Sequence, residues 1–221
     1  MKTIKILNLY ACLGGNRLKW DEVANIEVTA VELDPVLAEL YQERFTDDTV
    51  VVADAHKYLL NHYREFDFIW SSPPCPTHSR ARFADAKNYE SSMKPVFPDF
   101  TLYQEIVFLE KYFHGKYCVE NVIPYYTPLI PAKKRHRHLY WTNFNIPTIL
   151  STRKPSKRAV NDGNIIELSK FHDYDFKKYK GEQRRDKVAR NLVDYQAGKT
   201  IFECAANTIL NKPIAAVGLF I

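Results

Sequence analysis

Strand-like and helix-like segments alternate from residue 5 to residue 122, and that alternation leaves few folds open. Residues 5–10, 27–33, 49–55, 66–72 and 117–122 read as strands. Residues 16–24, 35–45, 56–63 and 99–113 read as helices between them, the second opened by Pro35 at its first turn. Strands spaced by helices of about ten residues form βαβ units, with right-handed crossovers and helices on both faces of a parallel sheet. The expected fold class is therefore α/β with a Rossmann-like sheet. From 145 to 187 proline, serine and charge dominate and no period survives, which predicts a small irregular lobe. Helical spacing returns over 188–210, and 212–221 is an apolar tail expected to dock on the core. The chain thus divides into a main domain at 1–144, the lobe at 145–187 and a returning segment at 188–221.

Composition removes several classes. No apolar run is long enough to span a bilayer, so no membrane role is expected. The N-terminus lacks the apolar core and small-residue cleavage site of a signal peptide. The four cysteines, at 12, 75, 118 and 204, have the spacing of neither a zinc site nor a disulfide framework. Reduced thiols in a cytoplasmic protein are the expectation. Net charge is +5, and it is unevenly placed. No acidic residue falls between Asn121 and Asn161, while Lys133, Lys134, Arg135, Arg137, Arg153, Lys154, Lys157 and Arg158 all do. A one-sign stretch of that kind suits a phosphate-bearing partner, or else is a solvated basic loop.

Ligands of open α/β sheets bind at the carboxyl ends of the strands, so the residues just past each strand matter most. After the first strand come Tyr10, Ala11, Cys12, Leu13, Gly14 and Gly15. The chain has only seven glycines, and two of them are adjacent here. A glycine pair lets backbone approach a ligand and aims N–H groups at it, or simply makes a tight turn. Glu32 ends the second strand, followed by Leu33. A carboxylate there can accept both hydroxyls of a ribose, or be a surface acid. Asp54, next to Ala55, either caps the following helix or accepts from an adenine amino group.

Cys75 follows the fourth strand inside Pro73-Pro74-Cys75-Pro76. Prolines stiffen the backbone, and a rigid loop presenting a thiol reads as a nucleophile more readily than as core packing. Its thiolate is expected to be favoured by positive charge, with Arg80 and Arg82 near in sequence. Glu120 and Asn121 end the fifth strand. A carboxylic acid at a buried strand end tends to stay protonated and can donate to a ring nitrogen; pairing with Arg135 or Arg137 is the alternative.

In this order the motifs resemble the cytosine-C5 DNA methyltransferases. Tyr10-Ala11-Cys12-Leu13-Gly14-Gly15 resembles their aromatic-x-Gly-x-Gly-Gly turn, and Glu32 and Asp54 their ribose and adenine acids. Pro74-Cys75 matches the catalytic loop, and Glu120-Asn121-Val122 the Glu-Asn-Val motif. Lys133-Lys134-Arg135-His136-Arg137 looks like Gln-x-Arg-x-Arg, and Arg190-Asn191-Leu192-Val193 like Gly-Asn-x-Val. The departures are Cys12 and Arg190 for glycines, Lys133 for glutamine, and a recognition region confined to 145–187. Cys12 should either crowd the cofactor's amino-acid end or adopt a φ that cysteine tolerates poorly.

The resemblance implies a Rossmann-like S-adenosylmethionine-dependent methyltransferase sheet acting on cytosine C5 in DNA. Cys75 would be the covalent nucleophile on a flipped-out base, with Glu120, Asn121, Arg135 and Arg137 completing the catalytic set. Tyr10, Ala11, Cys12, Leu13, Gly14, Gly15, Glu32, Leu33, Asp54, Ala55, Pro74, Asn191 and Val193 would hold S-adenosylmethionine. No metal is implied. DNA would be gripped through phosphates by the eight cations above, and a short or relaxed target sequence follows from the short lobe. The setting implied is a bacterial or phage-infected cell, with restriction-modification as the context. Two alternatives remain: the same chemistry on RNA or a free cytidine nucleotide, and an inactive nucleic-acid-binding descendant. A dehydrogenase explains neither Cys75 nor Glu120.

Overall fold

The structure is a computed structural model that describes residues 2–80 and 95–210. Its seven strands are β1 (Ile4–Leu9), β2 (Ile26–Glu32), β3 (Thr49–Val52), β4 (Phe68–Ser71), β5 (Lys116–Val122), β6 (Lys133–Arg135) and β7 (His138–Thr142). They form one sheet in the order β3-β2-β1-β4-β5-β7-β6. β1 to β5 are mutually parallel, and β7 runs antiparallel to both β5 and β6. The helices are α1 (Pro35–Arg44), α2 (Ala55–His62), α3 (Thr101–Tyr112), α4 (Lys157–Asn161), α5 (Ile165–His172), α6 (Arg185–Asn191) and α7 (Tyr195–Ile209). Chain order reverses between β1 and β4, so the switch-point crevice opens at their carboxyl ends.

The period of two along each strand sorts its residues between the faces. Ile4, Ile6, Phe68, Trp70 and Cys118 face Ile201, Phe202 and Ala205 of α7. Leu7, Leu9, Ile69 and Val119 face Leu59 of α2 and Ile106 and Leu109 of α3. Helices thus cover both faces, as expected for this fold class. Trp20 lies fully buried between the sheet and α7, stacked near Phe68, Trp70 and Phe202, and donates its Nε1–H to the Gly198 carbonyl.

Several segments differ from expectation. Residues 16–24 hold only a 3₁₀ turn at Trp20–Glu22, because Arg17 is drawn into a buried ion pair instead of onto a helix face. Its guanidinium donates twice to Asp48, at 2.8 and 2.9 Å, and twice to Asp21. The β6–β7 hairpin was not expected. The 188–210 segment is two helices, broken at Leu192 and Val193. The 145–187 segment contains α4, α5 and a 3₁₀ turn at Phe176–Lys178, capped by Ser156, Asn164 and Asp175. The 212–221 tail and Arg82 lie outside the described residues. No helix among the described residues is long and apolar enough to cross a membrane.

Candidate active site

The turn after β1 is built from left-handed residues. Tyr10, Cys12 and Gly14 have φ of 56°, 47° and 65°. Two of the three carry side chains, and each such conformation costs about 1–2 kcal/mol. A Cβ on Gly14 would stand 2.3 Å from the Phe45 ring, and one on Gly15 would stand 2.5 Å from the Val193 carbonyl oxygen. Gly15 therefore lets the segment after α6 close directly onto the turn, which brings Val193 to it. Asn191 is exposed beside that junction. Cys12 takes the second of its two expected outcomes, a left-handed φ. Its side chain packs with Leu13, Leu37 and Tyr179.

Glu32 closes the turn from β2. Its Oε2 accepts from the Cys12 N–H at 2.8 Å and its Oε1 from the Asp34 N–H at 3.0 Å. Burial pushes this carboxyl up, opposed by those backbone donors. A carboxylate offers about four lone-pair sites, so two remain for a ligand's hydroxyls. Leu33 next to it is 69% exposed, an apolar surface at the crevice rim. Asp54 performs the role of a helix cap: its Oδ1 accepts from the Lys57 N–H at 3.1 Å, ahead of the buried Ala55.

Cys75 stands past β4. The N–H groups of His78 and Ser79 both donate to its carbonyl at 3.0 Å, folding the loop into a tight turn. Asn121 reaches across from β5 and donates to the Pro73 carbonyl at 3.0 Å. Pro74 is exposed between them. Asn121 is thus a brace for the Cys75 loop. The thiol is pushed up by burial first and by the Glu120 carboxylate second, while Lys187 of α6 pulls it down. This departs from the expected activation by nearby arginines. Arg80 is engaged with the Pro124 carbonyl at 3.1 Å.

Glu120 is buried near the end of β5. The His138 ring lies beside it, with Nε2 3.8 Å from Glu120 Oε1. Arg135, expected in the catalytic set, is engaged elsewhere. Its Nε donates to Pro147 O at 2.6 Å, Nη2 to Ile146 O and Nη1 to Lys134 O. Lys133 likewise donates to Thr142 and Phe144, and Arg153 pairs with Asp194 and the Phe171 carbonyl. Three of the eight expected phosphate contacts are therefore internal staples. Lys134, Arg137, Lys154, Lys157 and Arg158 are exposed.

Sequence reasoning missed Glu105. This fully buried carboxylate of α3 accepts from Tyr10 Oη at 2.6 Å and Ser71 Oγ at 2.6 Å, and its Oε1 lies 3.0 Å from His56 Nδ1. It ties the turn after β1 to the base of the Cys75 loop. The signal was present: Glu105 falls on the stripe formed by Leu102, Ile106 and Leu109, where a solvated acid does not belong. In the 145–187 lobe, Leu168, Phe176 and Tyr179 pack in one cluster with Leu13 and with Leu37 of α1, and Tyr179 Oη donates to Asp34 at 3.1 Å.

Comparison with known proteins agrees with this layout. Residues 4–111 match the model of a family described as C-5 cytosine-specific DNA methylase. That match spans a little under half of the chain and contains the turn, Glu32 and Cys75; Glu120 and His138 lie beyond it. A solved Entamoeba histolytica methyltransferase, EhMeth, superposes with a TM-score of 0.55 at 10% identity, covering 95% of this chain and 99% of its own. A Spodoptera frugiperda DNMT2 mutant gives a TM-score of 0.42 at 18% identity, over 69% of this chain and 54% of its own. No curated protein matches the sequence. The first superposition supports a methyltransferase fold.

Proposed function

We propose, from the match of residues 4–111 to the model of the C-5 cytosine-specific DNA methylase family, that the chain methylates C5 of cytosine in DNA through a covalent Cys75 adduct. One observation carries the reading. A proline-stiffened thiol and a buried carboxylate stand at the ends of adjacent strands, β4 and β5, within electrostatic reach of each other. That pair supplies a nucleophile and a proton donor for one face of a flat, electron-poor ring.

The residues around the turn fit S-adenosylmethionine. Glu32 has lone pairs left for ribose hydroxyls and Leu33 offers an apolar rim, while Gly14 and Gly15 let the turn pack closely on Phe45 and Val193. When bound, S-adenosylmethionine supplies an electrophilic methyl group. Tyr10, Ala11, Cys12 and Leu13 shape its bed, and Val193 closes the end opposite Glu32. Asp54 keeps its helix cap, which leaves one carboxylate oxygen for an adenine amino group.

The chemistry assigned to this chain runs as follows. Cys75 Sγ, as thiolate, bonds to C6 of cytosine. Glu120 gives a proton to N3, so the displaced electron pair collects at C5; S-adenosylmethionine held here would supply the methyl group, its methyl–sulfur bond breaking and S-adenosylhomocysteine leaving. Loss of the C5 proton to a base restores the double bond, the C6–S bond breaks, and Cys75 leaves as thiolate while N3 returns its proton to Glu120. Asn121 holds the loop through Pro73 during these steps. The raised thiol pKa of the ligand-free site means that substrate and neighbouring cations must complete the activation.

The test is nucleoside mass spectrometry after incubation with S-adenosylmethionine and unmodified DNA, with total RNA in parallel. The expected product is 5-methylcytosine in DNA, absent with Cys75→Ala. The variant should keep its fold and cofactor affinity. Product in RNA alone would move the substrate, and an active Cys75→Ala would remove the covalent step. A nucleic acid rather than a free nucleotide is favoured by the exposed cations Lys134, Arg137, Lys154, Lys157 and Arg158.

A further inference from the structure

The charge beside Glu120 comes from an unexpected residue. Strand register sets the geometry: Glu120 lies opposite Tyr140 and Val122 opposite His138 in the antiparallel β5–β7 pair. Residues two apart share a face, so Glu120 and His138 are diagonal neighbours on one side of the sheet. Their side chains come within 3.8 Å, and the His138 side chain is 32% exposed against 9% for Glu120. The imidazole therefore stands at the mouth, between the buried acid and solvent. Arg135, opposite His138 in the β6–β7 pair, has turned its guanidinium to the carbonyls of Pro147, Ile146 and Lys134. Among the described residues Arg137 forms no ion pair.

We propose that His138 is the residue that positions Glu120 and exchanges a proton with it, where pairing with Arg135 or Arg137 was the expected alternative. The inference rests on the cytosine reading above. An ionised Glu120 opposes ionisation of the Cys75 thiol, and a proton passed from His138 Nε2 to Glu120 removes that opposition. As the Cys75–C6 bond forms, Glu120 gives that proton to N3; as the bond breaks, N3 returns it to Glu120 and Glu120 returns it to His138. Nothing is consumed, so the cycle balances. The 3.8 Å separation is longer than a hydrogen bond, and contacts of this kind tighten when substrate fills the site. The charged groups that act on the Cys75 thiol are Glu120, which opposes its ionisation, and Lys187, which favours it; His138 acts through Glu120.

Two readouts test this. The first needs no methyl transfer: alkylation of Cys75 by iodoacetamide in the ligand-free protein, followed at the Cys75 peptide by mass spectrometry. Glu120→Gln should speed it, because an opposing charge is gone. His138→Ala should slow it several-fold, and His138→Arg should restore the rate. The second is turnover on DNA. His138→Ala should lower kcat at least about tenfold with the S-adenosylmethionine Kd unchanged, and His138→Arg, which keeps a charge but cannot release a proton, should not recover the loss. Arg135→Ala should lower the melting temperature and leave kcat of the folded protein near wild type. Unchanged Cys75 alkylation in both His138 variants, or a kcat loss in Arg135→Ala at unchanged melting temperature, would overturn the assignment. If alkylation responds as stated but no 5-methylcytosine forms, the pairing stands and the cytosine reading fails.

Discussion

Replacing Glu105 with leucine isolates the buried network that joins the two halves of the site. The substitution keeps the side chain's bulk and removes the acceptor for Tyr10 Oη and Ser71 Oγ, both held at 2.6 Å. Ser71 is fully buried, so its hydroxyl has no route to water. A buried polar group left without a partner costs about 1–3 kcal/mol. Two such groups give about 2–6 kcal/mol, and the half-exposed His56 adds little beyond that. For a chain of this length each kcal/mol moves the melting point by roughly 2–4 °C, so a mid-range loss of about 4 kcal/mol predicts a drop of about 8–16 °C. Urea denaturation gives the free energy directly. The decisive arm is the triple variant Glu105→Leu with Tyr10→Phe and Ser71→Ala. It removes both stranded donors and should regain most of the loss, because deleting all partners of a buried hydrogen bond is nearly neutral. A single variant within 1 kcal/mol of wild type, or a triple variant no more stable than the single, would refute the network as the tie between turn and loop.

Two further outcomes follow from particular contacts. His172 is buried with an unpartnered Nδ1, and burial lowers its pKa from 6.5 to about 4. The folded value lies below the unfolded one, so its contribution is intact above pH 6.5 and is lost as pH falls toward 4. The loss is at most about 3 kcal/mol, and urea midpoints at pH 7.5 and 5 should converge for His172→Phe relative to wild type. No difference in their pH dependence would contradict this. For Gly198→Ala, the new Cβ would stand 2.2 Å from the Asn16 carbonyl oxygen and 2.7 Å from its Cα. Helix propensity gains about 1 kcal/mol, but overpacking against backbone costs about 1–3 kcal/mol. The variant should be no more stable than wild type and should bind S-adenosylmethionine more weakly by calorimetry, because Asn16 adjoins the turn.

The parts of the fold that were legible are those whose signal is local. Ile4, Ile6, Leu7 and Leu9 alternate between faces, and Asp34-Pro35 starts a helix where an acid cap and a first-turn proline predict one. Strand-end chemistry was legible for the same reason, since Glu32, Cys75 and Glu120 each sit where a strand must stop. Trp20 and Arg17 defeated the helix expected at 16–24 because their partners, Phe202 and Asp48, lie far along the chain. The β6–β7 hairpin was hidden by charge: Lys133 and Arg135 read as part of a phosphate-binding stretch, yet both donate to carbonyls of the chain itself.

That last failure explains why the basic stretch was misapportioned. Lysine and arginine carry the same letters whether they face phosphate or cap backbone carbonyls, and composition counts them alike. What separates them is the acceptor supply in the fold. Carbonyls at Pro147 and Ile146 lie on an irregular segment with no ladder partners, and a buried or half-buried carbonyl needs a donor. Arg135 answers that need, and its removal from the site leaves Glu120 beside His138. An irregular segment following a hairpin thus predicts that the hairpin's cations turn toward it. The cations that make no such bond among the described residues, Lys134, Arg137, Lys154, Lys157 and Arg158, remain exposed.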